Sequence, residues 1–177
     1  MVKYGSNTRN EIIRVAGVIP ECVVNAPGGI SYVIFAQGCE HKCSGCHNPE
    51  THDFQGGESK TVDELIEDIQ SYPLSQIVTF TGGDPFFQPN SFSALAFELR
   101  ELNYKLVGYT GFYFEELLQD EMRKNLLAHL DILIDGPFIQ EQKERGLNFR
   151  GSLNQRILDV KESINTNRAV IIEKYYE

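Results

Sequence analysis

Along the chain, short β-branched and apolar runs alternate with stretches in which apolar positions recur every three or four residues. Residues 12–19 read as a first strand or as part of a hairpin, and residues 30–36 (ISYVIFA) as a buried strand ending at Gly38. Thr61-Val-Asp-Glu64 carries a hydroxyl at a cap position and a carboxylate three residues on, the capping-box pattern. Val62, Leu65, Ile66 and Ile69 follow at helical spacing, so one face of this helix is apolar. Residues 76–81 (QIVTFT) predict a strand closed by Gly82-Gly83, and residues 91–102 a second helix. Residues 105–109 (KLVGY) predict a strand ended by Thr110-Gly111, and residues 115–130 a third helical region. Residues 131–135 (DILID) form the next strand, stopped by Gly136-Pro137, and residues 168–173 (RAVIIE) a final one.

Strand alternating with helix implies βαβ units, an α/β fold and a mostly parallel sheet. Right-handed crossovers then bring the loop after each strand to one edge, the carboxyl edge where such folds do their chemistry. The unusual sequences CEHKCSGCHN, TGGDP, YTG and DGPF all occupy those loops, so they are expected to share one site. No internal repeat or low-complexity stretch divides the chain, and residues 1–177 read as a single domain. At 177 residues it falls short of the roughly 200–250 of a closed eight-stranded barrel, so an open partial (β/α) barrel is expected.

Composition narrows the class. With 41% hydrophobic and 23% charged residues, the chain has material for a real core and a solvated surface. No apolar run approaches the roughly 20 residues of a membrane span, and MVKYGSNTRN lacks the apolar stretch of a signal peptide. A cytoplasmic protein without membrane attachment is therefore expected. A net charge of −9 disfavours general nucleic-acid binding, which needs a concentrated basic face.

Three of the four cysteines fall within eight residues, as Cys39-x-x-x-Cys43-x-x-Cys46. A disulfide framework spreads its cysteines; a tight cluster in a cytosolic-looking chain more often binds metal. Three thiolates from one loop can close round one face of an iron–sulfur cube, leaving one iron open to a non-protein ligand. The competing reading is a zinc site with His41 or His47 as fourth ligand, although zinc prefers well-separated CxxC pairs and no second pair exists here. Cys22, beside Val23 and Val24, reads as a small core residue. His52, His129 and the Phe86-Phe87 pair carry no functional assignment.

The CxxxCxxC spacing after an early strand resembles the signature of radical S-adenosylmethionine enzymes, with Gly45 where many members have an aromatic residue. The Cys-x-Gly-Cys-His-Asn form is similar to that of glycyl-radical-activating proteins. Thr81-Gly82-Gly83-Asp84-Pro85 resembles the superfamily's GGE-type motif, with Asp84 in place of Glu. GLNFRGSLNQR at 146–156 resembles the FRGSxNQR segment of the anaerobic ribonucleoside-triphosphate reductase activating proteins, with Leu153 where serine is usual. That family also shows DGPF and YTG elements, and the likeness runs from about residue 25 to 156.

The resemblance implies an oxidoreductase holding a [4Fe–4S] cluster on Cys39, Cys43 and Cys46. It implies S-adenosylmethionine contacts at Gly45, Cys46, His47, Gly82, Gly83, Asp84, Asp135 and Gly136. The chemistry implied is reductive cleavage of the cofactor to a 5′-deoxyadenosyl radical, which takes a hydrogen from a glycine of anaerobic ribonucleotide reductase. The implied partners are the reductase large subunit and a flavodoxin or similar one-electron donor. No general acid or base is required beyond cluster and cofactor. In the basic 145–156 stretch, Arg150 and Arg156 are expected to contact the partner or an anion. Two other readings stay open: activation of a different glycyl-radical enzyme such as a formate lyase, and a zinc-binding interaction module.

Overall fold

The computed structural model describes residues 8–176; the first seven residues of the stretch read above for a leader lie outside it. Its centre is a seven-stranded sheet in the order β3-β1-β2-β4-β5-β6-β7. β1 (Ile12–Cys22) and β2 (Ser31–Ala36) form an antiparallel hairpin, and β3 (Glu58–Thr61) pairs antiparallel with the outer edge of β1. β2, β4 (Ile77–Gly82), β5 (Lys105–Tyr109) and β6 (Ile132–Asp135) run parallel. β7 (Arg156–Asp159) closes the order antiparallel to β6. The sheet is open, with β3 and β7 at its edges.

The helices are α1 (Val62–Gln70), α2 (Pro89–Glu101), α3 (Phe114–Leu117), α4 (Glu121–Leu127) and α5 (Val160–Thr166). The capping box of α1 forms as the sequence predicts, Thr61 and Glu64 satisfying each other's backbone N–H groups. Leu65 and Ile69 of α1, Leu95 and Leu99 of α2, Phe114 of α3 and Leu126 of α4 join one core with Val78, Leu106, Leu133 and Leu158 of the sheet. Their strand neighbours Ile77, Val107, Ile134 and Ile157 lie in a second, smaller cluster. Side chains alternate between faces with a period of two, so the helices cover one face and the other is left for the site.

Three expectations change. Residues 168–173 form no strand: Ile171 makes one isolated bridge with Leu158, and the chain then turns through a short 3-10 segment, Glu173–Tyr175. The helical region at 115–130 is two helices, because the Asp120 carboxylate caps the backbone N–H groups of Met122 and Arg123 and starts α4 afresh. β3, β7 and α5 appear where no regular element was expected.

Candidate functional site

The cysteine loop leaves the end of β2 and is tied at its root. Gly38 N donates to Thr51 O at 2.7 Å, and the Gln37 amide donates to Asp53 O at 2.6 Å. Gly38 has φ +102°, and a Cβ there would fall 2.4 Å from the Phe54 ring, so only glycine fits. Cys46 N donates to Cys43 O at 3.2 Å, which curls the second half of the loop. Asn48 N points at the Cys46 sulfur at 3.4 Å. All three thiols line one cavity of about 490 Å³, a volume suited to a small-molecule ligand. Cys39 is buried, and that burial pushes its thiol up to about 11. A metal must therefore draw its proton off, so loading should improve as pH rises.

The loops after β4, β5 and β6 line the same cavity through Gly82 and Gly83, Thr110 and Gly111, and Gly136. The glycine pair serves the cysteine loop itself. Gly83 N donates to Ala36 O at 2.8 Å, and a Cβ on Gly83 would lie 2.5 Å from Gly38 O. Gly82, at φ +98°, leaves no room for a Cβ against the β2 backbone at Phe35 and Ala36. These glycines let two loops touch backbone to backbone, a need that the sequence assigned to the ligand.

Asp84, expected at the cofactor, lies beneath the cavity wall. It is wholly buried. Its Oδ1 accepts from Phe86 N at 2.9 Å, while Oδ2 accepts from Thr110 Oγ1 at 2.8 Å and Gly111 N at 2.9 Å. The His41 imidazole reaches the same Oδ2 at 2.9 Å and packs against Phe112 with ring centroids 4.5 Å apart. One carboxylate thus binds the cysteine loop to the loops after β4 and β5. With His41 engaged in this way, it is poorly placed to be a zinc ligand.

Asp135, expected at the cofactor, and Arg156, expected at a partner or an anion, are paired with each other. Asp135 is wholly buried. Arg156 grips it with Nε to Oδ1 at 2.9 Å and Nη2 to Oδ2 at 2.6 Å, and Phe114 N adds a bond of 2.7 Å. Arg156 also reaches Glu115 at 2.7 Å. The two partners are register neighbours across β6 and β7, so the pair staples an edge strand to the sheet. Burial pushes the Asp135 carboxyl up against the pull of Arg156, whereas hydrogen bonding to Arg156 holds Glu115 down.

Arg156→Ala should therefore cost about 3–5 kcal/mol, because it strands a buried carboxylate. In that variant burial, helped by Glu115 and opposed only by the Phe114 N–H, raises the folded-state pKa of Asp135 above its unfolded value. The penalty grows as pH rises through the unfolded value and shrinks as pH falls. Urea titrations at pH 5 and 7 should show the gap from the parent narrowing at pH 5; a gap that widened would contradict this role.

Of the other expected residues, Gly136 and His47 line the cavity, and His47 packs on Phe138 at 4.8 Å. Gly45 is exposed outside the wall, where φ +69° forms a turn beside Gln140. Arg150 lines the cavity, and the rest of its segment folds back on the loop after β6: Gln155 donates to Gly136 O at 2.9 Å and Asn154 to Pro137 O at 2.8 Å. Sequence reasoning offered His41 only as a zinc ligand and gave Asn48 and Thr110 no individual role. The signal for His41 was its place between two cysteines; nothing in the sequence marked Thr110 as a carboxylate's partner.

The donor set suits an iron–sulfur cube. A cube offers each thiolate a separate iron, so three cysteines of one loop lining one cavity suit it, with Asn48 N–H directed at one sulfur.

A family model described as a 4Fe-4S single cluster domain matches residues 24–158, which makes this an iron–sulfur protein of the single-cluster class. The chain is 36% identical over 146 residues to the anaerobic ribonucleoside-triphosphate reductase-activating protein of Vibrio cholerae, covering 78% of this chain and 92% of that one. It is 35% identical over 147 residues to the protein of the same name from Enterobacteria phage T4, covering 79% and 90%. The chain belongs to the family of anaerobic ribonucleoside-triphosphate reductase-activating proteins. The two cofactors expected from the sequence, a [4Fe–4S] cluster and S-adenosylmethionine, stand with that membership. The fold is similar to that of QueE from Escherichia coli, with a TM-score of 0.51 and 14% identity over 62% of this chain and 57% of that one. No helix among the described residues is long and apolar enough to cross a membrane.

Proposed function

We propose that this chain activates an anaerobic ribonucleotide reductase by installing a glycyl radical on its large subunit, with a flavodoxin or similar donor supplying the electron in the cytoplasm. The observation that carries the reading is the meeting of three thiols with the ends of β4, β5 and β6 in one cavity of ligand size. The residues 1–177 act as one domain, an open partial (β/α) barrel with its active site at the carboxyl edge of the parallel strands. Cys39, Cys43 and Cys46 would hold the cluster, with S-adenosylmethionine against Cys46, His47, Gly82, Gly83 and Gly136. Bound there, cluster and cofactor would supply the one-electron radical chemistry needed to remove hydrogen from a glycine α-carbon.

The protein's own part is to fix and shield. The Asp84 carboxylate and its partners keep the cysteine loop in register with the glycine loops. Phe35, Phe138 and Leu147 give the wall an apolar portion that limits water near a reactive ligand. The open side of the sheet leaves space for a glycine-bearing loop of the partner.

The test is anaerobic reconstitution with iron, sulfide and S-adenosylmethionine, followed by mixing with the reductase or with a formate lyase. A glycyl-radical electron paramagnetic resonance signal on the reductase alone is expected. A signal on the lyase alone would transfer the activity to that class.

A further inference from the structure

The segment after α5 returns along β7 and touches two walls of the cavity. Ile172 N donates to Ile157 O at 2.9 Å, and the Tyr176 hydroxyl accepts from Ile157 N at 2.8 Å. Tyr175 sets its ring edge-on to Phe149 with centroids 5.7 Å apart, and a Cβ on Gly28 would sit 3.5 Å from the Tyr175 hydroxyl. The Arg150 guanidinium lies 4.1 Å from the centroid of the Tyr176 ring. Phe149 and Arg150 line the cavity, and so do Val24 and Asn25, from the same connection as Gly28.

Two features of the 146–156 loop need such a clamp. Phe149 has φ +57°, the left-handed region that a bulky side chain rarely adopts without outside support. Arg150 Nε is buried without a hydrogen-bond partner, while its Nη1 reaches only the carbonyls of Leu153 and Gln155 at 3.5 Å. On a chain of net charge −9, the cavity wall contains no Asp or Glu, and Arg150 is its one arginine. A lone guanidinium on such a wall favours an anionic group of the ligand.

We propose that Tyr175 and Tyr176 are positioning residues. They hold the left-handed turn at Phe149, so that Arg150 presents its guanidinium at the cavity wall to the carboxylate of bound S-adenosylmethionine. The proposal rests on reading the cavity as the cofactor site, and it assigns to the tail a part in ligand affinity. Tyr176 acts through the face of its ring on Arg150, and its hydroxyl only pins the tail to β7.

The experiment uses anaerobically reconstituted full-length protein. Arg150→Gln and Tyr176→Leu should each weaken S-adenosylmethionine binding about tenfold in calorimetry, with iron per chain unchanged. The double variant should also lose about tenfold, not about a hundredfold, because one residue acts through the other. Tyr176→Phe keeps the ring and should stay within about threefold of the parent. Without any ligand, amide exchange at Ile157 and across 146–156 should quicken about tenfold in Tyr176→Leu. Unaltered affinity or exchange in Tyr176→Leu, multiplying losses in the double variant, or lost iron would each overturn the proposal. Exchange as expected in a parent protein that holds iron but fails to bind S-adenosylmethionine would instead sink the reading of the cavity.

Discussion

Replacing Cys39, Cys43 or Cys46 by Ala is expected to abolish S-adenosylmethionine cleavage, with iron falling from about four per chain to near zero. The cost to the fold should be small. None of the three belongs to either hydrophobic cluster, and Cys43 and Cys46 are partly exposed. The apoprotein variants should therefore unfold within about 1 kcal/mol of the parent, which separates loss of a ligand from loss of structure. Cys22→Ala is the control. Cys22 ends β1, where it pairs with Ser31 of β2, and it does not line the cavity. Its removal should leave iron and activity in place. Should Cys22→Ala lose the iron while Cys43→Ala kept it, the ligand set would be wrong. The raised thiol of Cys39 adds a second check: iron uptake should be slower at pH 7 than at pH 8.5, because the ligand is the thiolate.

The parts of this molecule legible from sequence are those written locally. β5 matches the run KLVGY residue for residue, since an apolar run bounded by turn residues carries its own limits. The capping box of α1 and the apolar face behind it are equally local. β3 was not legible: its sequence ESKT has no apolar alternation, and it is a strand only because β1 offers it an edge. β7 was hidden in the other direction, as RILD lies against a loop-like segment whose chemistry drew attention first. Residues 168–173 look like a strand by propensity, but Ile172 packs into the smaller cluster and the chain turns into a 3-10 segment.

The site divides in the same way. Which residues gather at the strand ends could be read from topology, and the glycines and cysteines came together there. Which way each side chain faces could not. Asp135 reads in sequence as a cofactor contact, whereas the register between β6 and β7 sets Arg156 opposite it as an ion-pair partner. Asp84 was plausible for the same reason, and was claimed by donors from two other loops. A carboxylate at a strand end is ambiguous between ligand and staple until its neighbours in space are known.

Asp84→Ala is expected to rank with Arg156→Ala as the most damaging substitution outside the cysteines, through the fold and not through the cofactor. It leaves Phe86 N, Thr110 Oγ1, Gly111 N and His41 without their shared acceptor. An unsatisfied buried donor costs about 1–3 kcal/mol, so a loss of about 3 kcal/mol or more is expected, against a total stability of about 5–15 kcal/mol. Because that variant risks not folding, Asp84→Asn is the measurable one: it keeps the shape and Oδ1 but replaces the Oδ2 acceptor with a donor. Urea unfolding of the apoprotein should show it about 2–3 kcal/mol less stable, with iron yield reduced in step. His41→Phe alone should cost less, since Phe112 and Phe87 already give that ring an aromatic bed. Combined with Asp84→Asn it should add less than it costs alone, because the two share one contact. The sequence-based expectation that Asp84 touches the cofactor makes the opposite forecast. On that account apoprotein stability would hold while S-adenosylmethionine affinity fell in a protein with its full complement of iron. Stable apoprotein with weakened binding would return Asp84 to the ligand; unstable apoprotein, measured before any cofactor is present, establishes it as the joint that holds three loops in place.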